Sequence, residues 1–492
     1  MKTIPEGFNK LYATMLMVAL LAAIDTTIVA TALPEIVSSF SALEGMALVI
    51  AVYTVSLTIA TPVFGRIADQ FGARQAFMIA IAVFIAGSLA CGFSQDIAQL
   101  TLSRFLQGAG AGGLNLLPLA IISKALPTHL RPKYIAPIGL VWAVATLSGP
   151  ILGGLLTDGP GWRWIFFINV PLAILAVFMG YRYINLGDHA ESRVPFDWKG
   201  TGLLSLFVVA LSTWLFALGG TIPIGGWVFW AGLVAVILVG WWFFSFEAKI
   251  AHPVLPVRLL KSPAIAMPAL LVALTGTALF GTVGYIPSLV QMSFNVNATT
   301  AGLVMFPMVV AFTAIQIFMG RYVTKHGRYL GFLKFGSIVG LVAFASAQLI
   351  GPEHGILGIV GLLVAGAIGI GFIGQLPVIL VQASAPKEQL GSATSLVAIT
   401  RQLGSALGIT VFGILFTNGL VAGLNRIDFP QGVTISGLGP KDIAKLTADQ
   451  WSQVAESYYS GIHAVFLASA LATLAAVVIV FIMPKTSLAK TQ

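Results

Sequence analysis

Three charged side chains lie in stretches that are otherwise apolar. Asp25 sits in the run Leu21-Ala22-Ala23-Ile24-Asp25-Thr26-Thr27-Ile28, Arg104 precedes a glycine-rich stretch, and Arg401 stands beside Gln402, Gly404 and Gly408. A carboxyl in such a run is expensive when ionised. Burial favours its neutral form, so it can load and release a proton near neutrality. The competing reading is a structural carboxyl that hydrogen-bonds its neighbours permanently. An arginine inside an apolar run must face a cavity or a partner, or snorkel to the surface. Asp25 and Arg104 are therefore assigned to proton coupling, with Arg104 tuning the carboxyl or relaying its proton. Arg401 is expected to contact a polar or anionic substrate, to pair with Asp25, or to pack against backbone carbonyls.

A second constellation is Gly65-Arg66-Ile67-Ala68-Asp69-Gln70-Phe71-Gly72-Ala73-Arg74. Gly65 permits close helix approach, Gly72 permits a tight turn, and Asp69 can pair with arginines or sit at a helix N-terminus. Such a charge cluster makes a latch that can break and re-form; the alternative is a solvated loop. A third is Gly149-Pro150-Ile151-Leu152-Gly153-Gly154, where the glycines form a small packing face and Pro150 can bend a helix. Tyr53, Trp142, Tyr285 and Gln316 are further substrate-contact candidates.

Other chemistry is excluded. No Gly-Lys-Ser/Thr phosphate loop is present. The glycine patterns at Gly108, Gly110, Gly113 and at Gly369, Gly371, Gly374 follow no strand, so they read as helix-packing faces. No His-Glu-x-x-His or Ser/His/Asp set appears, and Cys91 is the only cysteine, so neither an enzyme nor a metal or other bound cofactor is expected.

These residues need a lipid-embedded frame. Of 492 residues, 58% are hydrophobic and only 9% charged, with a mean hydropathy of +0.95. That charge content is far below the roughly 25% of soluble domains. Fourteen apolar runs are long enough to span a bilayer, near 12–33, 44–64, 75–95, 97–121, 133–157, 164–185, 200–219, 224–246, 264–290, 299–320, 330–350, 355–380, 391–417 and 460–483. Lipid offers no hydrogen-bond partners, so the expected fold is an all-α membrane protein with 14 transmembrane helices. The first run reads as a helix rather than a secretion signal, being long and carrying Asp25. With the N-terminus in the cytoplasm, 20 of the 26 lysines and arginines fall on the inner side. The net charge of +9 is thus a topology signal and gives no support to nucleic-acid binding.

An internal repeat organises the chain. Gly65-Arg66 and Gly72 recur as Gly320-Arg321 and Gly327, while Gly110, Gly112 and Pro118 recur as Gly369, Gly371 and Pro377. Two pseudo-symmetric six-helix bundles follow, over 1–199 and 251–492, with two inserted helices over 200–250. Thr324 stands where Asp69 does, so the latch should be stronger in the first half. Residues 186–199 form a polar inner loop. Residues 418–459 form an external one, whose Thr447–Gln450 pattern reads as a capping box for a surface helix.

Six stretches of the chain carry a resemblance. The Gly65–Arg74 loop resembles the signature loop of the major facilitator superfamily, and Arg104–Gly108 its span-four motif. Gly149–Gly154 resembles the antiporter motif of proton-driven exporters, with Ala145 in place of an upstream glycine. The Asp25 segment, Trp162–Pro171 and Phe196–Gly200 are similar to the fourteen-span drug:proton antiporter family. Leu48 stands where that family commonly has tryptophan, and the run near 299–320 has no acid, leaving Gln316 as its strongly polar residue. The resemblance implies a monomeric multidrug efflux antiporter of a prokaryotic plasma (inner) membrane, exchanging small hydrophobic compounds for protons and conferring antibiotic resistance. A lipid or lipoglycan exporter, or a proton-coupled solute symporter, is the alternative.

Overall fold

The computed structural model describes residues 7–126, 131–184, 197–218, 226–250, 253–386 and 389–484. Among them every regular element is helical. The first half contains α1 (Phe8–Phe40), α2 (Met46–Gln70), α3 (Ala73–Phe93), α4 (Ile97–Ala125), α5 (Arg131–Asp158), α6 (Trp164–Phe167) and α7 (Asn169–Tyr183). After α8 (Trp198–Leu218) and α9 (Trp227–Glu247) come α10 (Pro263–Val283), α11 (Ile286–Phe294), α12 (Ala298–Val304) and α13 (Phe306–His326). The chain finishes with α14 (Leu330–Ser346), α15 (Gly355–Gly374), α16 (Leu376–Ser384), α17 (Leu390–Leu424) and α18 (Ala448–Ile482).

Twelve helices among the described residues are long and apolar enough to cross a membrane, against the fourteen spans expected. The two expected spans outside that set fall on α5, which is 28 residues long with Pro137 and Pro150 inside, and on α10, whose apolar stretch Pro263–Leu279 is shorter. The surface helix expected after Thr447 and the last expected span are one 35-residue helix, α18. Thr447 and Gln450 form the anticipated capping box at its start, and Trp451 Nε1 donates to Met292 O at 3.0 Å. The inner loop expected over 186–199 lies, up to residue 196, outside the described residues.

The chain divides into two compact units. One comprises Met1–Thr201 with Asn297–Leu303, the other Gly202–Val296 with Val304–Gln492. The inserted pair α8 and α9 thus belongs almost wholly to the second unit. Within the first unit α2 and α3 pack on α4, and α1 on α5; within the second, α10 packs on α17 and α14 on α15 and α18.

The repeat is visible in one shared bond. Thr27 Oγ1 on α1 donates to Ala145 O on α5 at 3.4 Å, and Thr277 Oγ1 on α10 donates to Gly404 O on α17 at 2.8 Å. In both places small residues let the helix pair close. Gly149 meets Thr27 and Gly153 meets Ile28, while Gly404 meets Ala273 and Gly408 meets Thr277, with no room for a further carbon. Thr275 therefore occupies, two residues before Thr277, the place that Asp25 holds before Thr27, so the acid has no counterpart in the second unit.

Candidate functional site

Asp25 and Arg104 meet inside the first unit. Arg104 Nη1 lies 3.3 Å from Asp25 Oδ2, and the two residues are 1% and 0% exposed. A sealed ion pair is tolerable only when its remaining polar atoms are also engaged. Here Asp25 Oδ1 accepts from Gln107 Nε2 at 2.8 Å and from Asn169 Nδ2 at 2.7 Å. Gln107 Oε1 in turn accepts from Arg104 Nη1 at 2.7 Å. The Ser88 hydroxyl donates to Phe166 O at 2.8 Å and accepts from both amides at 3.1 Å. The guanidinium carbon of Arg104 stands 3.9 Å from the centre of the Tyr53 ring, a cation–π contact strengthened by the burial of both side chains. Both hydrogen bonds of the Arg104 side chain come from Nη1, and its buried Nε finds no partner among the described residues.

Each helix contributes for a local reason. Arg104 and Gln107 are three residues apart on α4 and so share a face. Asn169 opens α7, with one residue between it and the end of α6. Close approach is permitted by glycine: Gly87 on α3 abuts the Gln107 backbone, and Gly108 on α4 abuts the Tyr53 backbone. The glycine pattern in α4 is therefore a packing face, as expected. The network joins α1, α2, α3, α4 and α7 through one charge pair.

Two expectations for the arginines are settled by this geometry. Arg104 does not snorkel outward; it is the ion partner of Asp25, so Arg401 is not. The Arg401 side chain is partly buried on α17 and makes no ion pair or hydrogen bond among the described residues. Gln107, Asn169 and Ser88 were missed as site residues. A signal existed for the first in its spacing from Arg104, and for the second in its being a lone amide within an apolar run.

The substrate-contact candidates separate. Asp25, Tyr53 and Tyr285 have 1% exposure or less, so none offers surface for a substrate in this arrangement. Tyr285 donates from its hydroxyl to Ile409 O at 3.2 Å and stacks on Phe416. Trp142 packs partly buried against the core of the first unit, and Gln316 is partly buried on α13.

Of the stretch Gly65–Arg74, expected as a loop, Gly65–Gln70 continue α2 and Ala73 and Arg74 begin α3, so only Phe71 and Gly72 form the turn. Gly72 has φ 92° and ψ 151°, a backbone region open to glycine, and it starts α3. Asp69 pairs with Lys124 at the end of α4, Nζ to Oδ1 3.1 Å, and among the described residues with no arginine. Arg74 lies 4.2 Å from the centre of the Tyr181 ring, and Arg66 is buried. In the antiporter-like stretch Gly154 touches the backbone of Ala298 and Thr299. One turn later Asp158 accepts from Ala298 N at 3.1 Å, Thr299 N at 2.8 Å and Thr299 Oγ1 at 2.6 Å, capping α12. No cluster of three or more metal-ligating side chains occurs among the described residues.

A repeated bundle of apolar helices with a charge pair sealed in one repeat is the architecture of a membrane transporter. The chain belongs to the major facilitator superfamily, whose profile matches residues 15–409. That superfamily consists of multi-pass membrane transporters rather than enzymes. An uncharacterised MFS-type transporter of Mycobacterium tuberculosis is 30% identical over 98% of this chain and 70% of its own length. Multidrug resistance protein 3 of Bacillus subtilis is 29% identical over 84% of this chain and 80% of its own. Among solved structures, a bacterial homologue of the human lysosomal transporter Spinster aligns over 97% of both chains with a TM-score of 0.65 and 14% identity. A D-xylose–proton symporter aligns over 99% of this chain and all of its own with a TM-score of 0.60, also at 14% identity. Both share the fold.

Proposed function

We propose that this protein is a fourteen-span antiporter of a prokaryotic plasma membrane, acting as a monomer with both termini in the cytoplasm. It exports hydrophobic, cationic or neutral compounds in exchange for protons by alternating access. The observation that carries this reading is the sealed Asp25–Arg104 pair, present in the first unit and replaced by Thr275 in the second. Multidrug efflux is supported by the names of the Bacillus subtilis relatives, and antiport by the tight glycine packing of α5 on α1.

Protonation of Asp25 removes the counter-charge of Arg104 and turns one acceptor lone pair of the carboxyl into an O–H donor, among neighbours Arg104, Gln107 and Asn169 that all donate to it. The side chains of α3, α4 and α7 must then re-pair, which links proton uptake to helix position. One proton crossing 100 mV supplies about 2.3 kcal/mol. Substrate contact falls in this reading to Trp142, Gln316 and Arg401, with the Asp69–Lys124 loop as latch. Arg401, which makes no ion pair among the described residues, also suits an acidic substrate, which favours lipid export as the second reading.

The test is transport in proteoliposomes under an imposed pH gradient, with a fluorescent lipophilic cation and an anionic lipid analogue as alternative cargo. Proton-driven movement of the cation by the natural chain, lost on adding a protonophore and in Asp25→Asn, is the expected result. Undiminished proton-driven export by Asp25→Asn rejects the proton role, and movement of the anionic lipid alone selects the second reading.

A further inference from the structure

The second unit carries an aromatic groove that the exchange reaction does not use. It has a volume of about 780 Å³ and lies where α13 ends and α14 begins. Its walls are Tyr322, Tyr329, Phe332, Phe335 and Phe372, with Arg328 at the edge. The rings hold one another in place. Phe332 stacks on Phe372 at 5.8 Å, Tyr322 meets Phe332 edge-on at 4.9 Å, and Phe335 meets Phe372 at 5.5 Å. The size falls in the range of small-ligand pockets, about 300–1,000 Å³.

Two observations define the occupant. The first is the continuation of the groove: Phe335, Ile338 and Val342 form an exposed apolar stripe along α14, at the spacing of one helix face. A molecule in the groove therefore reaches along the hydrocarbon-facing side of a span. The second is charge. Arg328 is exposed and makes no ion pair or hydrogen bond among the described residues, and Arg321 is also exposed. No aspartate or glutamate occurs anywhere between Glu247 and Glu353. The loop is on the side that the lysine and arginine bias assigns to the cytoplasm, where anionic lipids attract basic groups.

We propose that this groove binds an anionic phospholipid of the inner leaflet, with an acyl chain against the aromatic wall and α14 stripe and the phosphate on Arg328. The aromatic wall takes up hydrocarbon, while the guanidinium offers paired donors to a phosphate oxygen. Neutral phospholipid fills the same groove but gains less from Arg328, because its headgroup carries no net charge.

The experiment is native mass spectrometry of the full chain, purified from bilayers of phosphatidylcholine and phosphatidylglycerol in equal amounts. The natural chain should retain phosphatidylglycerol in preference to phosphatidylcholine. Arg328→Gln should lower that preference about fivefold, the effect of one basic group at an anionic surface. Gly331 lies in the groove, and a side-chain carbon built there meets open space. Gly331→Leu should therefore fill the groove and reduce retention of both lipids. Unchanged preference in Arg328→Gln overturns the phosphate contact, and unchanged retention in Gly331→Leu overturns the groove as the acyl site. Displacement of the lipid by soluble glycerol phosphate would show a phosphate site alone and overturn the lipid assignment. Bound lipid is read directly, so these outcomes are independent of whether the chain exchanges drugs for protons.

Discussion

Substituting Asp25 by asparagine isolates the energetics of the sealed network. Asparagine has nearly the shape of aspartate, so packing is kept while the charge is lost. In the native arrangement Asp25 receives hydrogen from Arg104 Nη1, Gln107 Nε2 and Asn169 Nδ2, and donates none. An amide there turns its own NH2 toward one of these donors. Arg104, at 1% exposure, is left without a counter-charge. Breaking a buried pair by removing one partner costs about 3–5 kcal/mol. Replacing both charges is far milder, because an apolar group of similar length removes the need for a counter-ion. The double variant Asp25→Asn with Arg104→Met should therefore recover most of the loss. A coupling energy of about 2–3 kcal/mol is expected, near the upper range for side chains in contact. The assay is reversible unfolding in mixed detergent micelles followed by tryptophan fluorescence, with transport measured in parallel. Both variants should lack proton-driven transport, so restored stability without restored transport separates the structural role of the pair from its proton role. If Asp25→Asn unfolds within about 1 kcal/mol of the natural chain, or if the two substitutions simply add, the sealed pair does not act as described.

Three further outcomes are expected. Gly153→Ala places a carbon against Ile28 O and Thr31 Oγ1 and should destabilise by about 1–3 kcal/mol, whereas Gly202→Ala, which meets nothing nearby, should stabilise by about 0.5–1 kcal/mol in the same melts. Asp158→Ala removes three acceptor contacts at the start of α12 and should cost about 1 kcal/mol of cap energy. Faster thiol labelling of an introduced Thr299→Cys reports that release, since the native Cys91 is buried. Asp69→Asn breaks an exposed pair with Lys124 worth less than about 1 kcal/mol. Its melting should be unchanged while its transport rate falls, and a normal rate would remove the latch role.

Membrane embedding, helical class and the internal repeat were legible in the sequence because each depends on composition or periodicity along one stretch of chain. The costly charges were legible for the same reason. A carboxyl at position 25 and a guanidinium at position 104 stand out against apolar neighbours whatever the fold does with them. Gly72 was legible because its turn is local, and its positive φ agrees. Pairing was a different matter. Two destinations were open to Arg104, and the packing of α1 on α4 and α7 chose between them; it also removed one of the three open to Arg401, the pairing with Asp25. Lys124 as partner of Asp69, and Ser88 as the hinge between two amides, depend on helices dozens of residues apart in the chain. Tyr285 looked available for substrate, yet tertiary packing spends its ring on Phe416 and its hydroxyl on Ile409. The aromatic groove beside Arg328 likewise needs Phe372 of α15 against the start of α14. The sequence alone determined which residues burial would make expensive. The tertiary structure decided which partners offset that expense, because a hydrogen bond or ion pair depends on distance in space, which spacing along the chain does not specify.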